Sequence, residues 1–523
     1  VVGGGIIGAG IARDLARRGF SVALVERADL ASGTSSRPTR LIHGGLRYLE
    51  MFDFALVRAD MREREILLRA APHLVRPLPF LIPLYDESFL FRQKLRIGMR
   101  LYDALSFDKS LPKRRWLSAA EVADTEPNIR REGLRGAWRF YDAQVSFVER
   151  LVVENALAAA ADGAIVVTHA PAVRFIRDGD RVTGAVVRDE LDGSEHEARA
   201  RIVVNATGPW LDRAGAELRP GGRPLLRLTK GTHVVTPQAT AQAHVLYARS
   251  DGRLFFVIPW AGQTLIGTTD TDYTGDPAEA AASESDVQYL VTEAHRAFPA
   301  AGFDRVNYTY AGVRALVRED GVKEGDVSRK HGIYDHLLKD GIAGMVSVVG
   351  GKITGYRLIA EELADHVTRT LGTHARGTTA DTPLPGAGAD LAAIASRAAA
   401  LGVAPSGAEH LAALYGARAE AVLDLVGTDR SLAATLCAHS RDIAAQLVHA
   451  VREEWAVTLG DVLLRRITLG LGPCQGLHCL DEAARIVGEA LGWSDTERRD
   501  QAAAYVEELA PMRLFSTPVS STL

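Results

Sequence analysis

The sequence predicts an α/β region followed by an all-α region: a discontinuous parallel-sheet domain carrying an inserted antiparallel sheet, then a C-terminal helical domain. Three observations carry this. Gly3, Gly5 and Gly8 follow the short apolar run Val1-Val2, and Glu26 closes a second apolar run, Val22 to Val25. Apolar runs ending in glycine turns return at Asn205-Ala206-Thr207-Gly208 and Gly350-Gly351-Lys352-Ile353-Thr354. Beyond a Pro/Gly linker, Thr378 to Asp390, residues 391 to 512 are Ala/Leu-rich with helical periodicity and no strand signal.

The opening segment reads as a Rossmann-like dinucleotide unit. Gly3 permits the strand-to-helix turn, Gly5 lets backbone approach a pyrophosphate, and Gly8 lets the helix pack close to the sheet. The helix N-terminus then offers N–H groups and a positive dipole end to phosphates. Ile7, Ile11 and Leu15 make one buried stripe, Arg13, Arg17 and Arg18 are expected to face water, and Gly19 stops the helix. Glu26 is placed to accept both ribose hydroxyls, which argues against a 2′-phosphate. The repeated glycine turns suit FAD better than NAD, because an extended flavin dinucleotide meets backbone at several places.

Further along, residues 54 to 70 read as a charged amphipathic helix. Residues 76 to 145 read as irregular, with prolines at 77, 79, 83, 112 and 127. A helix is expected from Val148 to Ala161, and short strands at Ala164–Thr168, Val182–Arg188 and Ala198–Val204. An antiparallel set is expected at Thr232–Thr236, Leu254–Pro259, Thr264–Thr269 and Asn307–Ala311. Met345–Val349 is the last strand before a helix that runs to about Thr370.

Composition narrows the function. The 523 residues, 47% of them hydrophobic, are ample for more than one core, and a formal charge of −4 gives no support for nucleic-acid binding. No apolar run reaches the roughly 18 residues that span a bilayer, so membrane contact is expected to be peripheral. Three cysteines suit a reducing compartment without a disulfide framework. Residue 1 is Val, already inside the first strand, so residues are expected upstream.

The chemistry is expected to gather around Thr34, Ser35 and Ser36, the paired glycines Gly44 and Gly45, and three cations at strand ends or glycine turns: Arg47, Arg314 and Lys352. Arginine offers a planar fork to a phosphate and lysine a point charge. His233, at a strand start beside Gly231, is either a catalytic base or a satisfied core histidine. Cys474, His478 and Cys479 share one turn-like segment. With only Cys437 and His439 as further donors, it reads as buried thiols at a helix N-terminus, and no metal is expected.

Several segments resemble the FAD-dependent, quinone-linked glycerol-3-phosphate dehydrogenases: the opening glycines, Thr34-Ser35-Ser36, Leu41 to Glu50, Ala71-Pro72-His73-Leu74, Lys230-Gly231-Thr232-His233, Ile258-Pro259-Trp260, Ile266 to Asp270, Gly312-Val313-Arg314 and Gly350 to Thr354. They cover residues 1 to about 370 in the family's order. The resemblance implies FAD bound non-covalently, and the order of segments along the chain predicts an FAD-binding domain over 1–75, 146–210 and 330–375, a substrate or cap domain over 76–145 and 211–329, and a helical domain over 388–523. It implies oxidation of glycerol 3-phosphate to dihydroxyacetone phosphate, with electrons passing to a membrane quinone from the inner face of the cell membrane. A homo-oligomer is compatible with it. Arg47, Tyr48, Arg314 and Lys352 would surround the substrate, with His233 and Asp270 beside its reacting carbon. Gly208, Gly351, Ile353 and Thr354 would join the cofactor cradle. The alternatives are an oxygen-reducing oxidase, a flavoenzyme of the same fold using an amino or hydroxy acid, and a non-catalytic flavin-containing assembly protein.

Overall fold

The computed structural model describes residues 1–45, 49, 52–318 and 330–517. Its first layer is a parallel sheet assembled from distant pieces. Ile165–Val167 pairs with Ala23–Val25, Val2 bridges Val25 and Asn205, and Val203–Asn205 pairs with Met345–Gly350. His331–Asp335 adds an antiparallel edge. Helices Ile6–Arg17, Val148–Ala161 and Tyr356–Thr370 cover this sheet, burying Ile11, Leu15, Val152, Ile359 and Leu363 in one core. The discontinuity read from the sequence therefore has a physical basis. No single segment supplies enough strands to bury the first helix, and the sheet closes only when residues 203–205 and 345–350 return to it.

The second layer is a ten-stranded, mostly antiparallel sheet, whose backbone is Leu226–Pro237 paired with Tyr308–Val317 on one side and Gln263–Gly267 on the other. The segment expected to be irregular, 76–145, contributes much of it. Val75–Leu84 and Gly136–Val145 pair in unbroken register from Val75↔Val145 to Leu84↔Gly136. Pro77, Pro79 and Pro83 share one parity, so their missing N–H groups fall on a single edge of the strand and the ladder survives. Between these strands runs the helix Phe89–Leu105.

Other expectations need correction. The run Ala198–Val204 is two strands: Glu195–Arg199 closes a three-stranded meander, and Val203–Asn205 enters the parallel sheet. Arg314 does not end its strand, and His233 does not begin one. Both sit inside long strands, where Thr229 opposes Arg314 and Tyr310 opposes His233. Arg13 and Arg18 are buried rather than solvated. Arg13 donates to the carbonyl of Thr382, and Arg18 pairs with Asp14 and Asp365. The linker thus lies packed along the first helix, with Leu384 buried and its N–H donated to Ala70.

The C-terminal region is helical, from Leu391–Ala400 to Asp495–Arg513. It is clamped to the rest by buried charge. Asp29, on the loop after Ala23–Val25, accepts from both Arg465 and Arg466, and Arg150 pairs with Glu454. Removing one member leaves a buried charge uncompensated, which costs about 3–5 kcal/mol. Asp29→Ala should therefore lower the thermal unfolding midpoint by several degrees, read by calorimetry, whereas exposed pairs such as Arg485–Glu489 should contribute almost nothing.

Candidate active site

Between the two sheets lies a cavity of about 750 Å³. At one end its wall is the glycine turn. Gly3 has φ +108°, and a Cβ there would stand 2.6 Å from the carbonyl oxygen of Ala206. A Cβ on Gly8 would stand 1.8 Å from the carbonyl oxygen of Gly3, so Gly8 lies behind the wall and permits the helix to approach. Gly5 lines the cavity at the helix N-cap. Ser35 Oγ accepts the N–H of Ile6 at 2.9 Å, in the first turn of that helix.

Glu26 also lines the cavity. Its carboxylate accepts the N–H groups of Gly4 at 2.6 Å and Ala28 at 3.0 Å, which fix its orientation. Burial pushes its pKa up, and these N–H groups oppose that shift. Nearby, the Arg27 guanidinium stacks 4.2 Å from the Trp210 ring, and both line the wall with Gly208. The far wall holds Gly351, Ile353 and Thr354, with Thr354 Oγ1 accepting the N–H of His43. Thr34 Oγ1 donates to the carbonyl of Val313 at 2.7 Å, tying the hydroxyl loop to the antiparallel sheet.

Not every expected residue reaches the cavity. Ser36 Oγ turns inward to the carbonyl of Ala31. Gly44 serves packing: its N–H donates to Tyr102, whose hydroxyl would be 2.8 Å from an added Cβ. Gly45 has φ +71° and also lies off the wall. Asp270 sits behind the wall, bonded to Arg314 at 3.0 Å. Arg47 and Tyr48 lie outside the described residues.

Arg314, His233 and Lys352 all line the cavity. The Arg314 guanidinium lies flat over Gly231, where an added Cβ would stand 2.2 Å from Nη2. Asp270 and the Thr268 hydroxyl, 2.9 Å away, hold it there. His233 lies over Gly267 in the same way and stacks on Tyr310, with ring centroids 4.9 Å apart. Its Nε2 is 2.9 Å from Thr39 Oγ1, and its buried Nδ1 has no hydrogen-bond partner among the described residues. Burial, then repulsion from Arg314 and Arg40, holds His233 well below the usual imidazole range, so the ring is neutral. Lys352 forms an ion pair with Asp60, whose carboxyl is pushed up to about 7 by burial against the pull of that ammonium.

Sequence reasoning missed Thr39, Arg37, Arg40, His43 and Asp60. Arg40 is buried in a two-pronged pair with Glu149, each contact 2.9 Å. His43 lies in a segment singled out for its glycines, and burial lowers its pKa to about 4. Asp60 sits on a charged helix where nothing distinguishes it from its neighbours until Lys352 arrives from 292 positions away.

A glycine turn at a helix N-terminus, a buried acid and a cationic wall around one cavity fit an adenine dinucleotide extended by a flavin, the cofactor of a flavin-dependent oxidoreductase. Comparison with known proteins agrees. Residues 1–357 match the FAD dependent oxidoreductase family, and residues 377–498 match the C-terminal domain of alpha-glycerophosphate oxidase. The chain is 40% identical to glycerol-3-phosphate dehydrogenase of Synechocystis, over 97% of this chain and 95% of that protein. It is 37% identical to glycerol-3-phosphate dehydrogenase 2 of Mycobacterium bovis, over 97% and 87%. The crystal structure of glycerol-3-phosphate dehydrogenase from Bacillus halodurans, complexed with FAD, superposes with a TM-score of 0.80 at 29% identity, covering 99% of this chain and 95% of that one. The chain belongs to the FAD-dependent glycerol-3-phosphate dehydrogenase family. Because Gly8 meets rigid backbone, Gly8→Ala should purify without bound flavin, checked by visible absorbance per chain against the yellow wild type.

Proposed function

We propose that the protein oxidises sn-glycerol 3-phosphate to dihydroxyacetone phosphate and passes the electrons to a membrane quinone. The observation that carries the substrate is the cationic wall: Arg314 and Lys352 face one cavity with neutral His233 between the two sheets. A phosphorylated secondary alcohol needs both kinds of group, cations for its phosphate and a proton acceptor for its hydroxyl. A rival amino-acid or hydroxy-acid substrate needs only a carboxylate clamp.

Bound FAD supplies the two-electron hydride acceptor. The protein's share is binding and proton movement. Lys352 grips phosphate, and Arg314 stabilises the developing alkoxide at C2. The substrate hydroxyl gives its proton to Thr39 Oγ as Thr39 gives its own to His233 Nε2, so one proton leaves the alcohol and one arrives on the imidazole. Asp270 acts through Arg314 as a positioning residue.

A membrane acceptor is supported by the helix Phe89–Leu105. Phe89 and Leu90 are 70% and 78% exposed, Ile97 is 63%, and Phe107 just beyond the helix is 78%. Exposed Lys94, Arg96 and Arg100 lie among them, as on an interfacial helix that meets anionic lipid. Among the described residues no helix is long and apolar enough to cross a membrane. Oxygen as acceptor is the second reading, favoured by the match of residues 377–498 to a domain named for an oxidase.

Anaerobic titration tests the substrate: glycerol 3-phosphate should bleach the flavin, and proline or glycine should not. With an oxygen electrode, quinone-dependent turnover should exceed peroxide production; the reverse result would replace the acceptor. Arg314→Ala should lose on the order of 3 kcal/mol of transition-state stabilisation, about a hundredfold in kcat/KM. Lys352→Ala should act mainly on KM. Above pH 7 ionised Asp60 neutralises Lys352, and below it the protonated acid leaves that charge to the phosphate. KM should therefore rise severalfold as pH increases through about 7. Asp60→Asn should remove that rise, measured against wild type so that the substrate's own titration cancels.

A further inference from the structure

Away from the cavity, two loops of the helical region bring soft donors to one point. Cys437 Sγ lies 3.5 Å from Cys474 Sγ and 3.8 Å from His439 Nδ1. The three ligand atoms all lie within 4.8 Å of one another. Cys479 is buried on the same turn as Cys474 but lies outside this group, its Sγ donating to the Gly476 carbonyl at 3.4 Å. Around a tetrahedral ion with metal–sulfur bonds of about 2.3 Å, neighbouring sulfurs stand roughly 3.7 Å apart. The observed spacings are those of adjacent corners of one coordination shell.

The backbone is shaped to hold them. Gln475 and Gly476 take successive left-handed conformations, φ 48° and 74°, and turn the chain back on itself between Cys474 and Cys479. Leu477 N–H donates to Cys474 and Cys479 N–H to Gly476, which keeps both thiols on the same short turn. Gln475 is fully buried, with its carbonyl accepting from Tyr505. A single Cys437–Cys474 disulfide would leave the His439 imidazole beside it without a role. Cys437, Cys474 and His439 form instead a Cys₂His donor set, which leaves the fourth position of a tetrahedral ion open.

We propose that Cys437, Cys474 and His439 bind one thiophilic transition-metal centre with its fourth position open, contrary to the absence of metal expected from the sequence. The centre pins residues 434–440 to the 472–480 turn. Three residues before Cys474, the Leu471 carbonyl accepts from Gln263 and Tyr308 of the antiparallel sheet, so the centre also stiffens the segment that docks the helical region.

The test is elemental analysis of full-length holoprotein purified under reducing, anaerobic conditions, with acid-labile sulfide measured in parallel. About one metal centre per chain is expected. Zinc without sulfide identifies a lone ion, and iron with sulfide identifies a cluster on the same donors. Cys437→Ser and Cys474→Ser should each lose at least four-fifths of the metal while keeping FAD per chain. Should those variants fail to fold, Co²⁺ exchanged into the wild type should give tetrahedral ligand-field bands beyond the flavin absorption. Protein that carries no stoichiometric zinc, iron or copper and takes up no Co²⁺, or that keeps its metal in both serine variants, would overturn the assignment.

Discussion

Two missing side chains set the floor of the active site. Arg314 and His233 lie flat against the antiparallel sheet because residues 231 and 267 carry no Cβ; an added one would stand 2.2 Å from the guanidinium and 2.3 Å from the imidazole. A sheet normally projects its side chains outward in alternation. Here glycine under each functional group lets it lie along the sheet instead, leaving the space above for ligands. The rest follows from that geometry. Asp270 and Thr268 fix the guanidinium, while Tyr310 and Thr39 fix the imidazole.

The same packing explains the electrostatics. Crowding cations into a cavity between two sheets costs desolvation, and the protein answers with buried partners: Asp60 for Lys352, Asp270 for Arg314 and Glu149 for Arg40. These pairs prevent the wall from carrying its whole positive charge when no anion is bound. His233 stays neutral because it is buried and, in addition, faces the Arg314 and Arg40 guanidinium groups.

Local chemistry in the sequence announced the nucleotide cradle. Gly3, Gly5 and Glu26 need only their own neighbours to be read, and all three line the cavity. The strands with alternating or β-branched text were legible for the same reason. What escaped was decided at long range. Pro77, Pro79 and Pro83 look like breakers until Gly136–Val145 arrives along the opposite edge. Arg13 looks solvated until the linker carbonyl of Thr382 reaches it, and Arg18 until Asp365 and the Ala375 carbonyl do. Thr39 and Asp60 gain meaning only from His233 and Lys352, 194 and 292 positions away. Cys437 and His439 are 35 or more residues from Cys474, so the loop that unites them was invisible in the spacing alone.

The central claim is that this wall selects its substrate by the phosphate. The most direct measurement is the ratio of kcat/KM for glycerol 3-phosphate to that for glycerol, under identical conditions. A charge-assisted contact to the phosphate contributes about 1.5–3 kcal/mol, so the grip of Lys352 predicts a preference on the order of ten- to a hundredfold. That preference should shrink by at least tenfold in Lys352→Ala. Comparable turnover of the two alcohols by the wild-type enzyme would contradict the account.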